Sequence, residues 1–167
     1  MRIFSIIALF LLSFILQSTV FQYIAIFDVI PNTNLILIIL VALFKNKKVG
    51  GTAGLIIGLL QDILFGNAIG VHGLIYFSIG YFIGVINPTV SKDNAISSFI
   101  LTFLFTIISN IMFFFIYYFS SVNITFVEMI REIAIIEAIY NGVLSILLYK
   151  VMKKLFISPN LRFSRRG

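Results

Sequence analysis

The chain has 167 residues, of which 60% are hydrophobic and 11% are charged, with a mean hydropathy of +1.13. Soluble domains contain about 25% charged residues, so this composition excludes an ordinary soluble domain. The chain contains no cysteine and one histidine, which excludes disulfide frameworks and transition-metal sites of normal composition.

Long apolar stretches predict six membrane-spanning helices, because one bilayer crossing needs about 20 apolar residues. In chain order, the predicted spans cover about residues 3–21, 32–44, 49–65, 71–87, 95–119 and 131–151. The second is short, and we interpret it as a short or tilted helix that follows an irregular segment from Ala25. Pro31 precedes it and Asn32 is its predicted N-cap. The predicted fold is all-α, with one integral-membrane domain at residues 1–157 and a basic cytoplasmic tail at 158–167.

The basic residues predict the orientation of this bundle. The formal net charge is +6, and Arg131 is the one basic residue at a predicted outer end. The others precede the first span, follow even-numbered spans or end the last one: Arg2, Lys45, Lys47, Lys48, Lys92, Lys150, Lys153, Lys154, Arg162, Arg165 and Arg166. The positive-inside rule therefore places both termini in the cytoplasm of a multi-pass protein of the cytoplasmic membrane. Since no A-x-A-like site follows Gln17, we expect the first span to be retained.

Two neighbouring spans carry small residues at four-residue spacing, so that these residues share one helix face. The third span has Gly50, Gly54, Gly58 and Asp62, and the fourth has His72, Tyr76, Gly80 and Gly84. In hydrocarbon, small residues allow helix backbones to approach closely. The pattern predicts a tight antiparallel hairpin whose turn lies between Gly66 and Gly70. Its glycines and Asp62 are candidates for helix contact or for binding a partner.

Buried polar residues form a second set of candidates: Gln17, Asp62, His72, Asn110, Glu137 and Asn141. An isolated carboxylate in the apolar zone is unfavourable by at least a few kcal/mol, so Asp62 needs a partner or water. His72 and Arg131 are possible partners, and capping of the loop is the structural alternative. Interhelical hydrogen bonds are a sufficient structural explanation for the amides, and each such bond stabilises the bundle by about 1 kcal/mol or less. Glu137 is the best candidate for a contact beyond the chain, because a buried acid tolerates few environments.

Enzyme chemistry is not expected from this inventory of residues. The sequence has no H-E-x-x-H, G-x-S-x-G or P-loop pattern. Asp28 and Asp93 fall in predicted loops, so the paired aspartates of an intramembrane protease are missing. We predict no enzyme activity, no cofactor, no metal and no nucleic-acid partner.

Several of these segments together resemble the MreD family of bacterial rod-shape proteins. They are Leu16–Thr19, Pro31–Asn32, the basic loop Lys45–Lys48, and Gly50–Asp62 followed by Gly66 and Gly70. The resemblance implies a membrane protein that binds MreC, a single-pass protein. It also implies help in coupling MreB filaments to peptidoglycan synthesis by RodA and its transpeptidase partner. By that similarity, Gly54, Gly58 and Asp62 match family positions.

The family also looks like the substrate-binding subunits of energy-coupling-factor transporters, which implies an S-component-like bundle and an alternative function. In that alternative, a vitamin or other small molecule occupies a cavity lined by Gln17, Asp62, Asn110 and Glu137. Such subunits dock their motor through an Ala-x-x-x-Ala face, whereas the first span contains Ala8 alone. An ion pathway over the same acids is a third interpretation. The scaffold is the function that we predict.

Overall fold

The structure is a computed structural model that describes residues 2–66, 68–119 and 134–156. Within them the secondary structure is helical, with no β-strand, which confirms the all-α prediction. The α-helices are α1 (Arg2–Thr19), α2 (Thr33–Phe44), α3 (Lys47–Phe65), α4 (Val71–Ile86), α5 (Ala95–Phe119) and α6 (Ile135–Phe156). Short 3-10 helices follow α1 at Phe21–Ile24 and α4 at Asn87–Thr89.

Four of these helices are long and apolar enough to cross a membrane: α3, α4 with its 3-10 extension, α5 and α6. The apolar helices α1 and α2 are shorter. The count of six spans, with both termini in the cytoplasm, therefore stays a prediction. The predicted outer connection at 120–130, Arg131 and the tail at 158–167 lie outside the described residues.

Helix α2 lies at the centre of the bundle. Each of its residues from Thr33 to Leu43 is buried, and it contacts α1, α3, α4, α5 and α6. A helix that is apolar on all sides is stable where either protein or lipid covers every face, and here the protein does so. Its 12 residues rise about 18 Å, so α2 is shorter than the hydrocarbon layer. The surrounding helices shield it from lipid.

Both ends of α2 have side-chain partners for their backbone groups. The predicted N-cap is confirmed, because Asn32 Oδ1 accepts a hydrogen bond from the backbone N–H of Leu35 at 3.1 Å. At the other end, Asn87 Nδ2 donates to the carbonyl oxygens of Ala42 at 3.1 Å and Lys45 at 2.7 Å. Helix ends expose unpaired backbone groups, which are unfavourable in an apolar interior. These contacts allow a short helix to end inside the bundle.

Helices α3 and α4 form an antiparallel hairpin with their backbones in direct contact. A Cβ added to Gly50, Gly54 or Gly58 would lie under 3.0 Å from backbone atoms of α4. From the other side, a Cβ on Gly80 or Gly84 would come equally close to the backbone of α3. The glycine faces seen in the sequence therefore lie against one another, and a larger side chain at these positions would push the helices apart.

A tight reversal at residues 26–29 precedes α2. The backbone N–H of Ile26 donates to the carbonyl oxygen of Val29 at 3.1 Å, and Val29 returns the bond at 2.9 Å. The two central residues, Phe27 and Asp28, have φ values of 50° and 62°. These are values of a type I′ turn, which normally uses Asn and Gly. A left-handed conformation is unfavourable by roughly 1–2 kcal/mol for a residue such as Phe27.

Candidate functional site

Polar side chains from all six helices meet at one end of the bundle, which we call the lysine-free end. It is formed by residues 20–32 and by the turn between α3 and α4. The opposite, lysine-rich end carries Lys45, Lys47, Lys48, Lys92, Lys150, Lys153 and Lys154. All six polar residues singled out from the sequence lie in hydrogen-bonded groups near the lysine-free end: Gln17, Asp62, His72, Asn110, Glu137 and Asn141. Asp62 and Asn141 are buried, whereas the other four are half-buried.

Asn32 is the centre of this arrangement, because it joins the start of α2 to two other helices. Its backbone N–H donates to Asn141 Oδ1 of α6 at 2.8 Å, and its Nδ2 donates to the Tyr76 hydroxyl of α4 at 2.7 Å. Asn141 Nδ2 also donates to Thr106 Oγ1 of α5 at 3.2 Å. Tyr76, Thr106 and Asn141 are wholly buried. The start of the central helix is thus fixed by α4, α5 and α6 together.

Glu137 enters this network from the first turn of α6. Its Oε2 accepts a hydrogen bond from Asn110 Nδ2 at 2.8 Å, and its Oε1 accepts one from Asn141 Nδ2 at 3.3 Å. The side chain is half-buried. Within the described residues, no basic side chain forms an ion pair with it. The carboxylate is therefore held by amide donors and leaves part of its surface open.

A row of three amides links α1, α2 and α3. The buried Asn34 Nδ2 donates to Gln17 Oε1 at 3.1 Å and to Gln61 Oε1 at 2.6 Å. Its own Oδ1 accepts no hydrogen bond from the described residues. Asn34 and Gln61 are not among the buried polar residues predicted from the sequence. Their positions could have indicated them, because both are polar residues within predicted spans and lie close to other candidates. Asn34 follows Asn32 by two residues, and Gln61 directly precedes Asp62.

Asp62 holds the turn of the α3–α4 hairpin. Its Oδ2 accepts hydrogen bonds from the backbone N–H groups of Gly70 at 2.8 Å and Gly73 at 3.2 Å. Its Oδ1 accepts from the backbone N–H of His72 at 3.1 Å and is 2.7 Å from His72 Nδ1. Asp62 is 2% exposed. A carboxylate is favoured at the start of a helix, where backbone donors are unpaired. Asp62 thus both pairs with His72 and caps α4.

Two cavities flank the turn at 26–29, and Phe27 lines both. The first, the polar cavity, has a volume of about 360 Å³, and its polar lining residues are Gln17, Asp28, Asn32 and Glu137. The second, the α6 groove, has a volume of about 390 Å³ and is lined by Ile26, Phe27, Ile136, Ile139, Tyr140 and Val143. Of the four residues expected to share one cavity, the structure brings Gln17 and Glu137 together. Asp62 caps α4, and Asn110 holds Glu137.

The glycine candidates Gly50, Gly54, Gly58, Gly80 and Gly84 all lie in the hairpin contact between α3 and α4. These residues are therefore used inside the chain, and a role in binding a partner stays a prediction. In the described part of the chain, no group of three or more His, Asp or Glu side chains is arranged to hold a metal ion.

Comparison with known proteins gives a family match that covers nearly the whole chain. No curated protein and no solved structure matched, so the expected likeness to transporter subunits stays a prediction. A family model described as MreD, rod shape-determining protein MreD, matches residues 1–158. This match confirms the resemblance drawn from segments such as Gly50–Asp62. The family comprises shape-determining membrane proteins and is not a known enzyme family. The chain belongs to the MreD family of rod shape-determining membrane proteins.

Proposed function

We propose that this protein is a non-catalytic scaffold of the bacterial cell-elongation machinery in the cytoplasmic membrane. It binds an MreC-like single-pass protein and helps couple MreB filaments to peptidoglycan synthesis by RodA and its transpeptidase. The observation that carries this proposal is the family match over residues 1–158. The arrangement of the interior supports it, since Asn32, Asp62 and Asn141 are used to hold the helices of the chain to one another.

We infer that the surface beside α1 is suited to a single-pass helix, because α1 has the least contact with the other helices among the described residues. Between α1 and α6 runs an apolar groove of about 260 Å³, lined mainly by leucines, which we call the α1–α6 groove. Leu12 and Leu147 line its two sides and are 50% and 58% exposed. In a membrane, helices associate through close packing and not through the hydrophobic effect. A groove between two helices offers a third helix more packing than a convex face does.

Site-specific photocrosslinking in native membranes tests this proposal. A photoreactive amino acid replaces Leu12 or Leu147 in the groove, and Ile56 or Ile63 on the far side of α3 serves as the control. The control residues are 59% and 64% exposed, so their access to lipid is similar to that of the two groove residues. We expect the groove positions to capture a single-pass membrane protein and the α3 positions to capture none. Recovery of uncrosslinked protein from all four positions, under conditions that keep the elongation machinery assembled, would contradict the proposal.

A further inference from the structure

The polar cavity and the α6 groove adjoin at Phe27, and this arrangement suits a ligand with a polar head and an apolar tail. We propose that together they bind a membrane lipid whose head group carries a primary amine, of the phosphatidylethanolamine type. In this site, the amine binds Glu137 and Asp28, and an acyl chain follows α6 past Ile139 and Val143. This site is separate from the α1–α6 groove, and the inference does not depend on the proposed function.

The head-group half of the site is rich in hydrogen-bond acceptors and in negative charge. Glu137 and Asp28 are the charged residues of its lining, and the described lining contains no Lys or Arg. The amide donors of Asn110 and Asn141 orient the Glu137 carboxylate without neutralising it. Because Glu137 is half-buried and bonded only to these amides, its carboxylate keeps acceptor capacity for a cation or for further donors. A protonated amine supplies both a positive charge and three N–H donors, whereas an anionic head group would be repelled.

The acyl-chain half of the site follows one face of α6. Ile136, Ile139 and Val143 are three and four residues apart and therefore lie on one side of the helix. Ile139 and Val143 are 50% and 53% exposed, so the groove is open to the hydrocarbon layer along its length. Its lining contributes no exposed polar surface. An acyl chain fits these surroundings, and its head group would reach the polar cavity at the lysine-free end.

The turn at 26–29 supports this division between head and tail. Phe27, which lines both cavities, is 82% exposed, and neighbouring Asp28 lines only the polar cavity. Both residues have positive φ, a conformation that persists only where the surroundings impose it and that is common at ligand sites. The reciprocal hydrogen bonds of Ile26 and Val29 hold this conformation. The turn thus places Phe27 beside both cavities and Asp28 beside the polar cavity alone.

Lipid competition with the full-length chain tests the head-group half. The protein is reconstituted in vesicles with equal amounts of dioleoyl phosphatidylethanolamine, phosphatidylcholine and phosphatidylglycerol, and is extracted in mild detergent. Native mass spectrometry then identifies the lipids that stay bound. Phosphatidylcholine keeps the positive charge of the head group but lacks N–H donors. We expect the amine lipid to be enriched on the order of tenfold over phosphatidylcholine, as one charge-assisted hydrogen bond would give.

Carboxamide variants identify the residues that set this preference. Glu137→Gln and Asp28→Asn should each lower retention of the amine lipid to about the level of phosphatidylcholine. Asp93→Asn is the matched control, because that carboxylate is 90% exposed at the lysine-rich end, and it should keep the enrichment. If Glu137→Gln does not fold, Asp28→Asn still tests the preference, because Asp28 is exposed and its substitution should not disturb folding. Equal retention of the two zwitterionic lipids by the wild type would overturn the inference, as would a preference that survives the Asp28 change and the Glu137 change.

A bulky substitution tests the acyl-chain half. Val143→Trp fills the α6 groove and should reduce retention of the two zwitterionic lipids by on the order of tenfold. Ile63→Trp adds a ring to an exposed position of α3 and should leave retention unchanged. Circular dichroism and size-exclusion chromatography verify that both variants fold. Unchanged lipid retention in folded Val143→Trp would overturn the inference, and so would recovery of a stoichiometric water-soluble ligand or peptide from the cavity in place of a lipid.

Discussion

At the scale of single residues, Asp62 connects the end of α3 to the first turn of α4. Its carboxylate accepts hydrogen bonds from three backbone N–H groups and contacts the His72 ring. Because the carboxylate is buried, these bonds are shielded from competing water. Asp62 therefore fixes both the turn and the direction in which α4 leaves it.

We expect Asp62→Ala to lower the free energy of unfolding by about 2–4 kcal/mol, since it removes a helix cap and leaves buried donors unpaired. Thermal unfolding in detergent, followed by circular dichroism, measures this loss. The control is Asp93→Ala, because the Asp93 side chain is 90% exposed and its ion pair with Lys153 is long at 3.6 Å. That change should shift stability by less than about 0.5 kcal/mol. Equal effects of the two substitutions would mean that Asp62 does not cap α4.

Phe27 illustrates a residue whose backbone conformation disfavours its own side chain. Its φ of 50° suits Asn at the first central position of a type I′ turn. Because Phe27 is 82% exposed, Phe27→Asn loses little packing, and we expect it to stabilise the protein by about 1 kcal/mol. Tyr23→Asn is the control, since Tyr23 is 90% exposed but lies in a 3-10 helix. A rise in melting temperature for Tyr23→Asn alone would argue against strain at Phe27.

At the scale of helices, the α3–α4 hairpin depends on the absence of side chains at particular positions. A Cβ on Gly54 would lie under 3.0 Å from the Tyr76 backbone, whereas one on Gly51 would meet the Phe77 ring at 3.2 Å. Backbone cannot move aside without separating the helices, but a ring can turn. The two glycines therefore provide a matched pair within one helix.

We expect Gly54→Ala to destabilise the protein by about 1–3 kcal/mol, because overpacking would force α4 away from α3. Gly51→Ala should be neutral or stabilising by up to about 1 kcal/mol, since alanine favours the helix more than glycine does. The melting temperatures of the two variants in the same detergent provide the comparison. If Gly54→Ala were as stable as Gly51→Ala, the close contact of the two backbones would be disproved.

The hairpin also indicates how far sequence reasoning reaches in this chain. Four-residue spacing is enough to place Gly54 and Asp62 on one helix face. The cost of burying a carboxylate predicts a partner for Asp62, but it leaves His72, Arg131 and capping of the loop as alternatives. The spacing of residues within one helix does not show how a neighbouring helix is rotated about its axis. The hydrogen bond between Asn34 of α2 and Gln61 of α3 could therefore not be predicted from the sequence. The turn at 26–29 was expected only to be irregular, because Phe27 and Asp28 lack the glycine that usually marks such a turn. The central position of α2 depends on the packing of five other helices, which no local pattern encodes.

At the scale of the whole molecule, the two ends of the bundle differ in chemistry. The lysine-rich end pairs basic side chains with aromatic rings: the ammonium nitrogen of Lys45 lies 4.8 Å from the Phe156 ring centre, and that of Lys47 lies 5.9 Å from the Tyr81 ring centre. Lysines beside aromatic rings are typical of the membrane–water boundary on the cytoplasmic side. The lysine-free end instead contains Glu137, Asp62 and the two cavities. Each end thus matches a different side of a membrane.

This difference predicts that the turn between α3 and α4 faces away from the cytoplasm. Because the chain has no cysteine, single cysteines report accessibility without background. Ile69→Cys places a thiol at a position that is 77% exposed in that turn, and Ser91→Cys places one in the exposed loop between α4 and α5. The cells are treated so that the reagent reaches the outer face of the cytoplasmic membrane but does not cross it. A membrane-impermeant maleimide should then label Ile69→Cys before lysis and Ser91→Cys only after lysis. The reverse pattern would place the lysine-rich end outside, against the positive-inside rule, and would leave MreB filaments on the wrong side of the membrane for the proposed scaffold.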